Sequence, residues 1–191
     1  MPTKQEKGIF LDFPPDWAAI KYDGDTQADN AGFYRAHIEH QVQHVRGVDV
    51  VSLAVAPDNR LLLIEVKDYR ISASSADKEA KKLRQTVIQK ALNTISGLYA
   101  AARIGDAELR PVTARMFKAE LVIEVILLLE RPPTTDPPQS TAAKLRKQNP
   151  QTGINDLRLE LSSILNGLGF TFYLRSSTTM QARDGWTVRL T

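Results

Sequence analysis

The chain of 191 residues contains no cysteine. Disulfide scaffolds, thiolate zinc sites, iron–sulfur clusters and cysteine nucleophiles all need a thiol and are excluded together. Any metal must rest on carboxylates or on one of only three histidines. Long apolar runs are also lacking. The longest, Leu121 to Leu129, is interrupted by Glu124 and is far shorter than the roughly 20 residues of a membrane span. No apolar stretch follows the basic first residues, so a secretory leader is not expected and a soluble cytoplasmic protein is. Charge of one sign is scarce, since 25 Lys+Arg oppose 22 Asp+Glu for a net +3, which permits a polyanionic partner without demanding one. With 42% hydrophobic residues the chain is no disordered polyampholyte, and its length suits a single domain over residues 1–191.

Apolar spacing supplies the coarse architecture. Tyr34, Ile38, Val42 and Val45 recur every three or four residues, which predicts an amphipathic helix over 28–46 closed by Gly47. Two β-rich runs, Val48 to Ala56 and Leu61 to Tyr69, flank Pro57-Asp58-Asn59-Arg60 and read as a hairpin. A helix from about Ala76 to Ile104 follows, with Leu83, Val87, Ala91, Ile95 and Leu98 on one face and Gly105-Asp106 at its end. Ala119 to Glu130 is almost continuously apolar, as a strand buried on both faces is. The paired prolines of 131–139 mark a stiff loop. Beyond it the sequence predicts a short basic helix at Ser140 to Gln148, a second at Ile154 to Leu168, and strands at Phe170 to Arg175 and Trp186 to Leu190 with Asp184-Gly185 as turn. This order predicts an α/β fold, a central mixed β-sheet flanked by helices. Residues 28–130 form its core and 140–191 a C-terminal helix and strand extension. Residues 8–20, with Pro14-Pro15 after Phe13, suggest only a short extended piece and a turn.

One segment breaks its own pattern. In the second hairpin strand, alternation sets Leu61, Leu63, Glu65 and Lys67 on one face and Leu62, Ile64 and Val66 on the other. A strand that buries both faces and then presents a carboxylate beside an amine violates the expected patterning, and such violations concentrate at functional sites. The Glu-x-Lys spacing alone carries little, since Glu79-Ala80-Lys81 repeats it in a helix with no acid on a neighbouring strand to accompany it. Asp49, on the neighbouring strand, lifts Glu65 and Lys67 above that background. Two converging carboxylates make a hard-oxygen site for Mg²⁺ or Mn²⁺, and a lysine beside them suits water positioning or charge stabilisation at phosphorus.

With these residues the segment resembles the PD-(D/E)xK nuclease superfamily, of restriction-endonuclease-like fold. Asp49, Glu65 and Lys67 match its three motif positions, and Ile64-Glu-Val-Lys-Asp-Tyr-Arg70 is similar to its nuclease-related (NERD) and Mrr-like branches. Val48 stands where the motif's proline is nominal. The resemblance implies a helix-strand-strand-helix-strand core and metal-dependent phosphodiester hydrolysis. Asp49 and Glu65 would be metal ligands and Lys67 the water-positioning base, with DNA preferred over RNA and a homodimer admitted. It further implies a helix glutamate, Glu39, as an added ligand, and a helix Gln or Lys after the triplet. Gln89 is the catalytic candidate there, and Lys78, Lys82 and Gln85 are candidates for nucleic-acid contact. A degenerate fold that binds nucleic acid or a partner without cutting is the alternative. A purely structural protein, with Lys67 an ion-paired edge residue, is another. His37, His40 and His44 share one rim of the first helix; no second element offers zinc ligands, so surface or phosphate contacts are preferred. Trp17, Trp186 and Tyr173 suit packing better than base stacking.

The site also has a parity requirement. For Asp49 to share a face with Glu65 and Lys67, antiparallel partners must have residue numbers with an even sum. A four-residue loop pairs Ala56 with Leu61 and turns Asp49 away. A three- or five-residue connection, or a bulge near Asp49, is therefore expected.

Overall fold

The computed structural model describes residues 1–23, 33, 34, 37, 38, 45–54, 59–70, 73–131 and 141–191, with backbone alone at 73–81 and 141–152. Its order is β1 (Thr3–Glu6), β2 (Ile9–Asp12), β3 (Ala18–Lys21), β4 (Val50–Ala54), β5 (Arg60–Asp68), α1 (Ala73–Ile104), α2 (Arg110–Thr113), β6 (Val122–Glu130), α3 (Thr141–Gly167), β7 (Thr171–Arg175) and β8 (Thr187–Leu190). Five strands make a mixed sheet in the order β3-β4-β5-β6-β7. β5 is its pivot, antiparallel to β4 on one side and parallel to β6 on the other. Two crossovers that step in one direction, β5 to β6 and β6 to β7, deliver α1 and α3 to the same face.

The alternation read along β5 decides what each face meets. Leu61 and Leu63, with Leu127 of β6, pack under Leu83, Val87 and Ala91 of α1 and Leu157 and Leu161 of α3. Leu62, Ile64 and Val66, with Leu128, pack on the other face against Ile9, Leu11, Phe13, Trp17 and Trp186. That second layer is a three-stranded antiparallel sheet, β1-β2-β8. Trp17 and Trp186 are core residues, and Phe13 stacks on Trp186 with ring centroids 5.6 Å apart. The mixed sheet flanked by helices is thus as expected, and among the described residues no helix is long and apolar enough to cross a membrane.

Three sequence expectations need correction. The two helices foreseen beyond the proline loop are one, running from Thr141 to Gly167 through Pro150. A proline costs a helix one backbone donor and a steric conflict, a local penalty that packing of the downstream turns on the sheet offsets. The last two strands are not partners. β7 completes the five-stranded sheet, while β8 pairs with β2, and Gly185 at φ 76° ends the intervening 3₁₀ turn. Finally, residues 1–12 form a hairpin. Lys7 and Gly8, at φ 47° and 77°, make the two-residue turn with both central residues left-handed that matches strand twist. The helix expected over 28–46 lies largely outside the described residues.

Tyr22, just past β3, fills a slot that glycine must line. A Cβ at Gly97 would lie 2.2 Å from the Tyr22 hydroxyl oxygen and 2.6 Å from Ile38 Cδ1, and one at Gly47 would lie 2.7 Å from the Tyr22 ring. The hydroxyl itself is buried with no partner among the described residues. Gly97→Ala is expected to cost ~1–3 kcal/mol through overpacking. Tyr22→Phe removes an unsatisfied buried group and should be neutral or stabilising, recovering part of the loss in the double variant. Urea unfolding of the three variants checks this, and a Tyr22→Phe variant less stable than the parent contradicts it.

Candidate functional site

The ladder between β4 and β5 has the required parity. Ala54 pairs with Arg60 and Val50 with Ile64, even sums throughout, and five residues, 55–59, connect the strands. Continuing that register sets Asp49 opposite Glu65, on the face that α1 covers.

β4 begins only at Val50, so the backbone N–H of Val66 has no carbonyl partner across the pair. Asp49 supplies one from its side chain, accepting that N–H at 2.6 Å on Oδ2. Its own carbonyl accepts the N–H of Tyr22 at 2.9 Å. Asp49 is thereby fixed at both ends, and it is 6% exposed while Glu65 is 0% exposed. Two carboxylates so buried would repel one another and forfeit hydration unless cations stood beside them.

Two lysines do. Lys90 of α1, itself buried, places Nζ 2.7 Å from Glu65 Oε2 and 3.5 Å from Asp49 Oδ1. Lys67 Nζ forms an ion pair with Glu65 Oε1 at 2.7 Å. Burial, then the negative charge of Asp49, raises the Glu65 pKa, and Lys90 and Lys67 oppose the rise. For Lys67, burial disfavours the ammonium but Glu65 outweighs it, so its pKa is raised and the group stays charged. Asp23 adds a third carboxyl beside Asp49. Burial first, and Asp49 second, push its pKa from 3.8 up to about 7.

The structure therefore brings Asp49, Glu65 and Lys67 together. It does not add Gln89, which is exposed on α1 along with Lys82 and Gln85. One residue is about 100° of helical rotation, and the side chain that α1 delivers to the carboxylates is the next one, Lys90. A sequence signal for it existed. Lys90 lies seven residues after Leu83 and beside Ala91, a cation set in the apolar stripe. Asp23 carried no comparable signal, because nothing in the local pattern ties the residues after β3 to the start of β4. The side chain of Lys78 and all of Glu39, His40 and His44 lie outside the described residues. His37 is exposed and tilted against Phe33 with ring centroids 4.9 Å apart.

Among the described residues, no three Asp, Glu or His side chains are grouped as ligands for one metal ion. The donor set nonetheless fits a small hard cation. Asp49 Oδ1 and Glu65 Oε2 already face one shared cation, the Lys90 ammonium, and Mg²⁺ commonly takes one or two carboxylates with water and phosphate completing its shell.

Removing Lys90 tests how far the cluster depends on it. Lys90→Met leaves the two buried carboxylates facing each other and is expected to lose ~3–5 kcal/mol at neutral pH by urea unfolding, with a smaller loss in acid, where protons replace the amine. A loss independent of pH contradicts that role. Asp23 gives a second pH signature. Its folded pKa lies above 3.8, so its stabilising contribution is complete below that value and is lost as pH rises through about 7. Asp23→Asn should therefore flatten the decline in stability across that window, and an unchanged slope contradicts the assignment. No protein-family model, curated protein or solved structure matches this chain, so its site stands on its own geometry.

Proposed function

We propose that the chain is a metal-dependent nuclease of the PD-(D/E)xK type that hydrolyses phosphodiester bonds, with DNA preferred over RNA. The observation that carries this reading is the convergence of Asp49 and Glu65 across the β4–β5 pair with Lys67 beside them. A structural strand end has no need of two buried acids and two amines at one point. Asp49 and Glu65 would hold Mg²⁺ or Mn²⁺, which when bound polarises a phosphodiester and makes bound water more acidic. Asp49 is oriented for this by the Val66 N–H, and Glu65 by the two lysines.

Lys67 is the amine with access to a substrate, its side chain being 27% exposed against 10% for Lys90. Because Glu65 keeps it charged, it acts by donating to water or to a non-bridging phosphate oxygen rather than by taking a proton. Lys90 is a positioning residue that holds both carboxylates at a common point. Phosphate contacts by Lys82 and Gln85 on the exposed side of α1, a third ligand from Glu39 and a homodimer belong to the same proposal.

One observation favours a second reading. The Lys90 amine stands where the two carboxylates would share a metal, as in a degenerate fold that binds nucleic acid without cutting. The two readings differ in one experiment. Supercoiled plasmid and single-stranded DNA are incubated with the chain in Mg²⁺ or Mn²⁺, beside Asp49→Ala and Lys67→Ala. Cleavage that falls by a factor of ~10²–10³ in each variant supports the nuclease. Cleavage surviving either substitution removes the mechanism, and DNA binding without cleavage supports the second reading.

A further inference from the structure

A second feature lies on the same sheet face, one strand further on. Leu129 of β6 is the register partner of Lys67, and strands in a sheet are about 4.8 Å apart. Leu129 is also the start of a cleft of about 670 Å³ at the carboxyl ends of β5, β6 and β7, within the ~300–1,000 Å³ range of small-ligand clefts.

The cleft has an apolar floor and a basic rim. Leu129, Leu174 and Ile154 form the floor, while four arginines and a single acid, Glu130, stand among the lining residues. Most of these charges are spent. Glu130 is buried and accepts both the N–H and the hydroxyl of Ser177, pinning the Ser/Thr loop 176–179 that walls one side. Arg70 is bound by Asp68 and the Thr191 carbonyl, and Arg175 by both oxygens of Asp184. Arg158 of α3 is different. It is exposed, lines the cleft, and has no carboxylate partner among the described residues. A bare phosphate would use the guanidinium and waste the floor; a purely apolar ligand would do the reverse. A nucleotide uses both, with its base on the leucines and its phosphate at the arginine.

We infer that this cleft binds one nucleoside-phosphate unit of a nucleic-acid strand, a neighbour of the bond that the Asp49–Glu65 centre cuts. The placement beside a scissile bond rests on the nuclease reading; the nucleotide affinity itself does not. It is therefore tested without divalent metal and without cleavage, by calorimetric titration of the full chain with deoxyadenosine 5′-monophosphate at low salt. The expected result is saturable binding, weakened at least tenfold in Arg158→Glu and largely kept in Arg158→Lys. Inorganic phosphate should bind at least tenfold more weakly. Arg158 is exposed, so circular dichroism of Arg158→Glu should match the parent. Absence of nucleotide binding, equal binding by Arg158→Glu, or phosphate binding as tight as the nucleotide overturns the inference. Nucleotide binding in a chain that cuts no DNA would keep the cleft and remove the nuclease, and cleavage without nucleotide binding would do the opposite.

Discussion

Two carboxylates meet across an antiparallel strand pair with almost no access to water, and much of the surrounding architecture is the compensation for that. Glu65 and Asp49 cannot both stay charged in an apolar layer unless cations and donors surround them. β4 starts only at Val50, which frees the Val66 N–H for Asp49. α1 crosses the sheet so that Lys90, one turn from Val87 in the packed stripe, reaches both acids. Lys67 closes the open side. Two acids and two amines balance, and the balance holds only because strand register, strand end and helix phase agree.

Much of this was legible in the residues, and the reasons differ from part to part. Alternation in Leu61 to Lys67 fixed the faces of β5, because a period of two leaves only one choice. The parity condition then required an odd connection, and five residues separate Ala54 from Arg60. Helix phase was harder. The polar stripe of α1 drew attention to Gln89, whereas the informative residue was the charge misplaced in the apolar stripe, Lys90. Long-range pairings were not legible at all. Nothing local says that Trp186 to Leu190 joins β2 rather than β7, since edge strands take partners by tertiary packing. Lys7-Gly8 escaped for a smaller reason: a non-glycine residue at φ 47° is uncommon outside Asn and Asp.

The net charge of +3 conceals a polarised chain. Residues 1–45 carry −3, 46–70 are balanced, 71–104 carry +4, 105–139 carry −2 and 140–191 carry +4. Part of the surplus in 71–104 is not surface at all, because Lys90 is spent on the buried acids. Likewise Arg175 in the last segment is neutralised by Asp184. What remains for a polyanion is on the exposed side of α1 and on the rim near Arg158. On the proposed nuclease reading, phosphate contacts at these places would position a strand for the acids beside Lys67.

The most direct measurement of the central claim is metal binding itself. Calorimetric titration of the chain with Mn²⁺ should show one ion bound per chain, and Glu65→Gln should abolish that binding while circular dichroism remains that of a folded protein. Mn²⁺ binding that persists unchanged in Glu65→Gln, or no binding to the parent chain at any concentration that leaves it folded, would contradict the account.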